Sequence, residues 1–206
     1  MWHRGAMMVR PAVPADRDWI TSTLTARWGS TTIVTGSRRR DAAALQALVA
    51  VETSSEHEPD RVGLLTYRVD RQGVEVVTID SLKGRSGIGT ALLARASQIA
   101  RHAGTARVWL ITTNDNLNAI EFYEHRGFRI VAVHEGAVDR ARALKPSIPL
   151  VAENGIELHD ELELALVLAP VPEIGYRTGP HAVTPTACDP PVDAATRAGS
   201  EPFTIS

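Results

Sequence analysis

Lys83-Gly84-Arg85-Ser86-Gly87-Ile88-Gly89-Thr90 is a glycine-rich turn between a run of strand formers, Val74 to Asp80, and a segment of helical period. A strand passing through such a turn into a helix presents first-turn amides that have no intrahelical acceptor and lie at the positive end of the helix dipole. Gly87 and Gly89 would let a ligand approach that backbone closely, and the guest such a turn suits is a phosphate or pyrophosphate. Lys83 and Arg85 would add charge-assisted donors beside it. A Walker A loop is excluded, because no Gly-Lys-Ser/Thr closes the turn. A dinucleotide fingerprint fits poorly: Leu92 stands where a third small residue belongs, and a hairpin precedes the turn instead of opening a parallel βαβ unit. A nicotinamide-dependent oxidoreductase is therefore a minor alternative, one that predicts binding of NAD.

About 25 residues on comes Thr112-Thr113-Asn114-Asp115-Asn116-Leu117-Asn118-Ala119-Ile120-Glu121-Phe122-Tyr123-Glu124-His125-Arg126-Gly127-Phe128. Together the two segments resemble the GNAT superfamily of N-acetyltransferases. Its acyl-CoA loop, Arg/Gln-x-x-Gly-x-Gly/Ala, is followed one strand later by Asn-x-x-Ala-x-x-Phe-Tyr-x-x-x-Gly-Phe. The second motif matches in full. In the first, aligned on Gly87 and Gly89, Gly84 stands where the family carries Arg or Gln and Arg85 is displaced by one residue, a departure that touches one side-chain contact and leaves the backbone cradle intact. The resemblance covers residues 8–168 and is densest from Val74 to Val133.

The resemblance implies an α/β fold: a mixed, mostly antiparallel central sheet of about seven strands, flanking helices, and a splay between the fourth and fifth strands where the pantetheine arm of acetyl-CoA pairs with exposed backbone as an added strand would. Acetyl-CoA would be the co-substrate, with no metal. Ile79 and Ser81 would meet the arm, the amides of Arg85, Ser86, Gly87, Ile88, Gly89 and Thr90 the pyrophosphate, and Asn114 and Asn118 the cofactor from the next strand and helix. Helix capping is an equally good account of Asn114 or Asn116. Tyr123 would be the general acid of the family, a phenol of ordinary pKa about 10 that gives its proton to the departing thiolate; packing beside Phe122 in the core is its competing role.

Transfer to a primary amine requires a proton to leave an ammonium of pKa about 10.4, so a carboxylate or imidazole should line the acceptor side. Glu75 is taken as the base, sharing side-chain parity with Val77 and Ile79; Asp80 on the opposite face, Glu52 and His134 are further candidates. A thiol intermediate is disfavoured, because the only cysteine, Cys188, lies in a tail with no pocket to activate it. Direct transfer in a ternary complex follows. The alternative from another class is a non-catalytic acyl-CoA-binding or regulatory module.

The elements that must position these residues read as follows. Met8 to Ala12 is a short strand, and Asp16 caps a helix that Gly29 ends beyond Trp28. Arg38-Arg39-Arg40 is a solvated charge run, with a helical turn after Asp41 and a strand over Leu45–Glu52. Gly63–Val69 and Val74–Asp80 form a hairpin about a Gly73-containing turn. A helix over Gly87–His102, an apolar central strand over Val108–Thr113, a helix over Leu117–His125, a strand over Phe128–Val133, a helix over Val138–Leu144 and a strand over Leu162–Leu168 complete the domain. Residues 136–160 are too long for a hairpin turn and read as a folded lobe over the acceptor side. The domain spans 1–169. Seven of the 12 prolines fall between Pro170 and Pro202, and 170–206 reads as a mostly disordered tail; a docking strand near Val183 or Phe203 has no periodic support.

Composition bounds the rest. Lys+Arg 22 against Asp+Glu 24 gives a formal charge of -2, which offers no field to hold nucleic acid. No apolar run of membrane-spanning length and no secretion signal is present, so a cytoplasmic enzyme without membrane contact is expected. The acceptor is a small-molecule or peptide amine whose identity the sequence leaves open, and a homodimer is compatible with the chain.

Overall fold

The computed structural model describes residues 6–35, 38–53, 59–84 and 86–169, together with the backbone of residues 204 and 205. In chain order the elements are β1 (Ala6–Pro11), α1 (Arg17–Trp28), β2 (Thr32–Thr35), β3 (Arg38–Asp41), β4 (Gln46–Thr53), β5 (Asp60–Asp70), β6 (Gly73–Ser81), α2 (Ile88–His102), β7 (Arg107–Thr113), α3 (Leu117–Glu124), β8 (Arg129–His134), α4 (Ala137–Leu144), β9 (Glu161–Val167) and β10 (Thr204–Ile205). Seven strands form the central sheet in the order β1-β4-β5-β6-β7-β9-β8, and β10 lies against β6. All neighbours in that order are antiparallel except β6 and β7.

The β5–β6 hairpin turns where the sequence placed it. Gly73 has φ 123°, and a Cβ there would stand 2.3 Å from the Arg107 carbonyl oxygen, so only glycine lets this turn lie against β7. Farther along, Thr66 pairs with Thr78 while Tyr67 pairs with Val76, which leaves Val77 as the extra residue of a β-bulge. The bulge inverts side-chain parity. Val74, Val76 and Ile79 face α2, whereas Val77 joins the cluster under α1, and Glu75 and Asp80 both reach partners on the α1 side. The expectation that Glu75 shares a face with Ile79 and opposes Asp80 is corrected accordingly.

The larger core lies on the α2 side, where Leu92, Ala96 and Ala100 seat the helix on Leu65, Val74, Val108 and Leu110, all fully buried or nearly so. Burial of each leucine is worth about 2 kcal/mol. A smaller cluster, with Ile20, Leu24, Ile33, Ala47, Leu64 and Val77, holds α1 and β2 on the opposite face.

Three sequence expectations change. Arg38 and Arg39 are exposed, as a solvated run would be, but the segment is strand β3, paired with β2, and Arg40 turns inward. The Asp16 side chain makes no cap bond to α1; it accepts from Arg10 Nη1 at 2.6 Å, Arg61 Nε at 2.8 Å and the Val13 amide at 2.8 Å. These donors, the Arg10 bond foremost, hold its carboxyl well below the usual carboxylate range. The last sheet strand begins one residue earlier than expected, at Glu161. Most of the 170–206 tail lies outside the described residues, but the backbone of Thr204 and Ile205 pairs antiparallel with Asp80 and Ile79.

Candidate active site

Two features of the backbone create the first half of the site. Helix α2 starts at Ile88 behind Gly87, whose φ of 76° is left-handed, and no side chain caps it. A Cβ at Gly87 would meet nothing within 4 Å among the described residues, so its left-handed backbone, and not crowding, is what calls for glycine here. Gly89 serves a different purpose: a Cβ there would fall 2.8 Å from Phe122 Cζ, so this glycine lets α3 lie against the start of α2. Arg126 fastens the contact, donating to Thr90 Oγ1 from Nε at 2.9 Å and from Nη2 at 2.8 Å while its guanidinium lies 3.6 Å from the centre of the Phe122 ring. The Ser81 and Ser86 hydroxyls both donate to the Lys83 carbonyl, which folds the turn back on itself. Lys83 itself is held by Glu52 at 2.6 Å, so it braces the turn instead of pointing a free ammonium at a phosphate. Arg85 lies outside the described residues.

The second feature is the splay. Strands β6 and β7 pair only over Val74–Val76 and Val108–Leu110. From Val77 to Ser81 the β6 backbone has no β7 partner, and at Ile79 and Asp80 its pairing beyond β5 is with β10. The splay between the fourth and fifth strands of the sheet is thus present.

The chemistry-bearing residues are distributed unequally around this gap. Tyr123 is 1% exposed, with Phe122 edge-on at 5.2 Å and Phe128 at 5.3 Å between ring centres. Burial, reinforced by the charge of Asp80, pushes its phenol well above the ordinary value. Asn118 is exposed at the start of α3. Asn116 caps that helix, accepting from the Ala119 amide at 3.2 Å. Asn114 is committed elsewhere: its Oδ1 accepts from the His159 and Asp160 amides and its Nδ2 donates to the Glu157 carbonyl, so it pins the 136–160 lobe to the end of β7. The side-chain hydrogen bonds of Asn114 all go to the lobe.

Glu75 is also displaced from its expected task. It sits in the closed part of the sheet, opposite Trp109, and its carboxylate lies 3.1 Å from Arg40 Nη1 and 3.5 Å from Arg68 Nη1. Burial pushes its pKa up, with Arg40 and Arg68 opposing. Its geometry is that of a counter-ion anchoring β3, and it does not reach the splay. Asp80 does lie there, fully buried, accepting from Trp28 Nε1 at 2.9 Å with Arg27 Nε at 3.5 Å, and so fixes the Trp28 indole. His134 Nε2 lies 3.4 Å from Glu163.

On the α1 side of the splay is a pocket of about 270 Å³, walled by Trp28, Ile33, Ile111, Val138, Ile148 and Leu158. Its polar lining comes from Thr112, Thr113, Asp115, Lys145 and Glu161. Glu161 is 2% exposed, and the Thr112 hydroxyl is buried without a hydrogen-bond partner. Sequence reasoning missed Glu161 by starting the last strand at Leu162. The alternation Glu161-Leu162-Glu163-Leu164 was the available signal, since period two places both glutamates on one face. The 136–160 lobe forms the far wall as expected, held by Arg142, whose guanidinium donates to the carbonyls of Ile148, Pro149 and Leu158. Among the described residues, no group of His, Cys, Asp and Glu could hold a metal, and no helix is long and apolar enough to cross a membrane.

Known proteins resemble this chain in sequence and in fold. The model of the Acetyltransferase (GNAT) family matches residues 18–128. The Bacillus subtilis protein YdhI is 39% identical over 162 residues, which is 79% of this chain and 99% of YdhI. The IAA acetyltransferase of Bacillus cereus has a similar fold, with a TM-score of 0.55 at 21% identity over 79% of this chain and 100% of that one. So has a GNAT family acetyltransferase from Elizabethkingia anophelis with acetyl-CoA bound, with a TM-score of 0.52 at 18% identity over 79% of this chain and 98% of the other.

Proposed function

The chain belongs to the GNAT acetyltransferase family, and from that premise we propose that it moves an acetyl group from acetyl-CoA to a primary amine by direct attack, with the amine seated in the pocket beside Trp28 and Glu161. The observation that carries this reading is the meeting of the splay with that pocket: Thr112 and Thr113, on the part of β7 that has left β6, line it.

The residues present fit acetyl-CoA. The uncapped amides at the start of α2, behind the left-handed Gly87, suit its pyrophosphate, and the backbone of Val77–Ser81 suits the amides of its pantetheine arm. When bound, it supplies an activated acetyl thioester. An amide of that β6 stretch polarises the acyl carbonyl, and the surrounding side chains hold the amine against it, so positioning and oxyanion stabilisation carry most of the rate. Glu161 receives the amine proton as the C–N bond forms. Tyr123, as a phenol a weaker acid than a thiol of pKa about 8.5 and made weaker still by burial, stabilises the departing sulfur by donating a hydrogen bond without losing its proton outright.

The test is thiol release from acetyl-CoA by the full chain across a panel of primary amines, with coenzyme binding measured separately by calorimetry. Tyr123→Phe is expected to lower kcat about 10- to 100-fold while the Kd for acetyl-CoA stays within twofold. Coenzyme binding without release by any amine would discard transfer and leave an acyl-CoA-binding module.

A further inference from the structure

Beside the acceptor pocket, sharing Thr35 and Ile111 with it, is a second cavity of about 340 Å³ lined by Arg38, Arg40, Trp109, His134, Ala137, Arg140 and Glu163. Three guanidinium groups and an imidazole meet one carboxylate there. That carboxylate is already engaged: Glu163 bonds Arg107, outside the cavity, and lies 3.4 Å from His134. Arg40 is balanced by Glu75 from behind. Arg38 and Arg140 have no carboxylate within ion-pair distance among the described residues; Arg140 donates only to the Glu135 carbonyl. Arg38 and Arg140 are exposed at the cavity mouth, so two guanidinium groups there are met by solvent and by no carboxylate in ion-pair contact.

A second, independent observation agrees. Trp109 is 7% exposed, and its indole N–H is buried with no acceptor. An unsatisfied buried donor is destabilising, a cost that an acceptor oxygen supplied from outside would recover. Cations without counter-ions and an N–H without an acceptor ask for the same thing, an anionic oxygen. The neighbouring pocket has the opposite character near the splay, where Glu161 and Asp115 outnumber Lys145.

We propose that the acceptor carries two charged ends: its amine lies by Glu161, and an anionic group, carboxylate or phosphate-like, lies in the second cavity against Arg38 and Arg140, with Trp109 in its wall. This names the substrate class of the amine transfer proposed above and rests on that reading. Guanidinium forks accept either anion in a bidentate manner.

The experiment uses the full chain with saturating acetyl-CoA and four probes: 6-aminohexanoate, 3-aminopropylphosphonate, hexylamine and propylamine. The two anionic amines are expected to show kcat/KM at least tenfold above their neutral counterparts. The double variant Arg38→Gln/Arg140→Gln is expected to remove that preference through KM, with kcat and the neutral amines little changed. The carboxylate and phosphonate arms decide which anion the cavity takes. Calorimetric titration of the same probes into the CoA complex runs alongside, so that absence of turnover, which would sink the transfer reading, does not silence this one. Tighter binding of the anionic probes that the double variant abolishes supports the anion site. Equal binding of neutral and anionic probes, undiminished binding in the double variant, or no binding of either anionic probe at millimolar concentration overturns it.

Discussion

The two faces of the sheet are built by different means. On the α2 side, helices and sheet meet through one continuous apolar cluster, and the ligand-facing groups are backbone amides set by glycines. On the α1 side the apolar cluster is small, and the elements are tied down by charge: Asp16 joins the start of α1 to β1 and β5, Glu75 joins β3 to β6 and β5, Asp80 holds α1 by its last turn, and Arg142 with Asn114 holds the lobe. A cofactor common to a family needs one fixed cradle, which packing and glycine geometry provide. An acceptor site is defined by polar side chains brought from far apart in sequence, and its anchors are correspondingly long-range.

The largest expected effect tests whether chemistry belongs to the α1 side. Glu161→Gln keeps volume and removes the base; kcat should fall about 1000-fold, with the Kd for acetyl-CoA unchanged. A loss under threefold would remove Glu161 from the reaction. Next come the two anchoring carboxylates, which should respond in opposite senses. Asp16→Asn breaks a buried, triply bonded pair and should cost about 3 kcal/mol in urea unfolding at pH 7. Because the folded-state pKa of Asp16 is depressed, wild type should hold its full advantage above the ordinary carboxylate range and lose it as pH falls below about 4. Glu75 is raised by burial, so its contribution is fully present below the unfolded pKa and is lost as pH rises through the folded one. Glu75→Gln should therefore gain on wild type as pH rises above the ordinary carboxylate range, whereas Asp16→Asn should keep a constant deficit there and gain on wild type only as pH falls below about 4. Parallel curves would mean that the two anchors are electrostatically alike.

The same contrast explains what the sequence disclosed. The hairpin, α2, the central β7 and α3 were legible because period, turn chemistry and glycine placement are local, and the cradle is made of that local geometry. The bulge at Val77 was not: one extra residue in a run of β-branched side chains leaves no mark on composition, yet it carried Asp80 across to the face of Glu75. Nor was β3, since three arginines in a row look solvated until the partner of Arg40, 35 residues away, is known. Asn114 shows the limit of motif reading in the other direction. Its position beside the Asn116–Phe128 motif suggested a ligand contact, but its bonds go to residues 157, 159 and 160 of the lobe.

On the α2 side, Gly89→Val probes packing and binding together. Its Cβ would press on Phe122 beneath the Arg126 guanidinium, so the ring must move or α3 must tilt. Over-packing should cost about 2 kcal/mol of stability. Acetyl-CoA should bind about 100-fold more weakly, because the cradle amides shift with the helix start. If stability falls while coenzyme affinity holds, the glycine serves helix packing alone.

The smallest effect is expected at the seam between the faces. Thr204 and Ile205 pair with Asp80 and Ile79 along the β6 edge that the pantetheine arm is proposed to use, and one edge cannot carry two strands. Coenzyme binding must then displace β10, at the cost of a pair of hydrogen bonds each worth about 1 kcal/mol or less in net terms. Deleting residues 204–206 should tighten acetyl-CoA binding about three- to tenfold by calorimetry and leave kcat unaltered, since the pocket and Glu161 are untouched. An unchanged Kd would mean that the arm does not meet β6 at Ile79 and Asp80, confining the cofactor's backbone contacts to the start of α2. A weaker Kd would mean that the strand helps to form the slot, and the division between a cofactor face made by local geometry and an acceptor face made by distant residues would then need a third, C-terminal contributor.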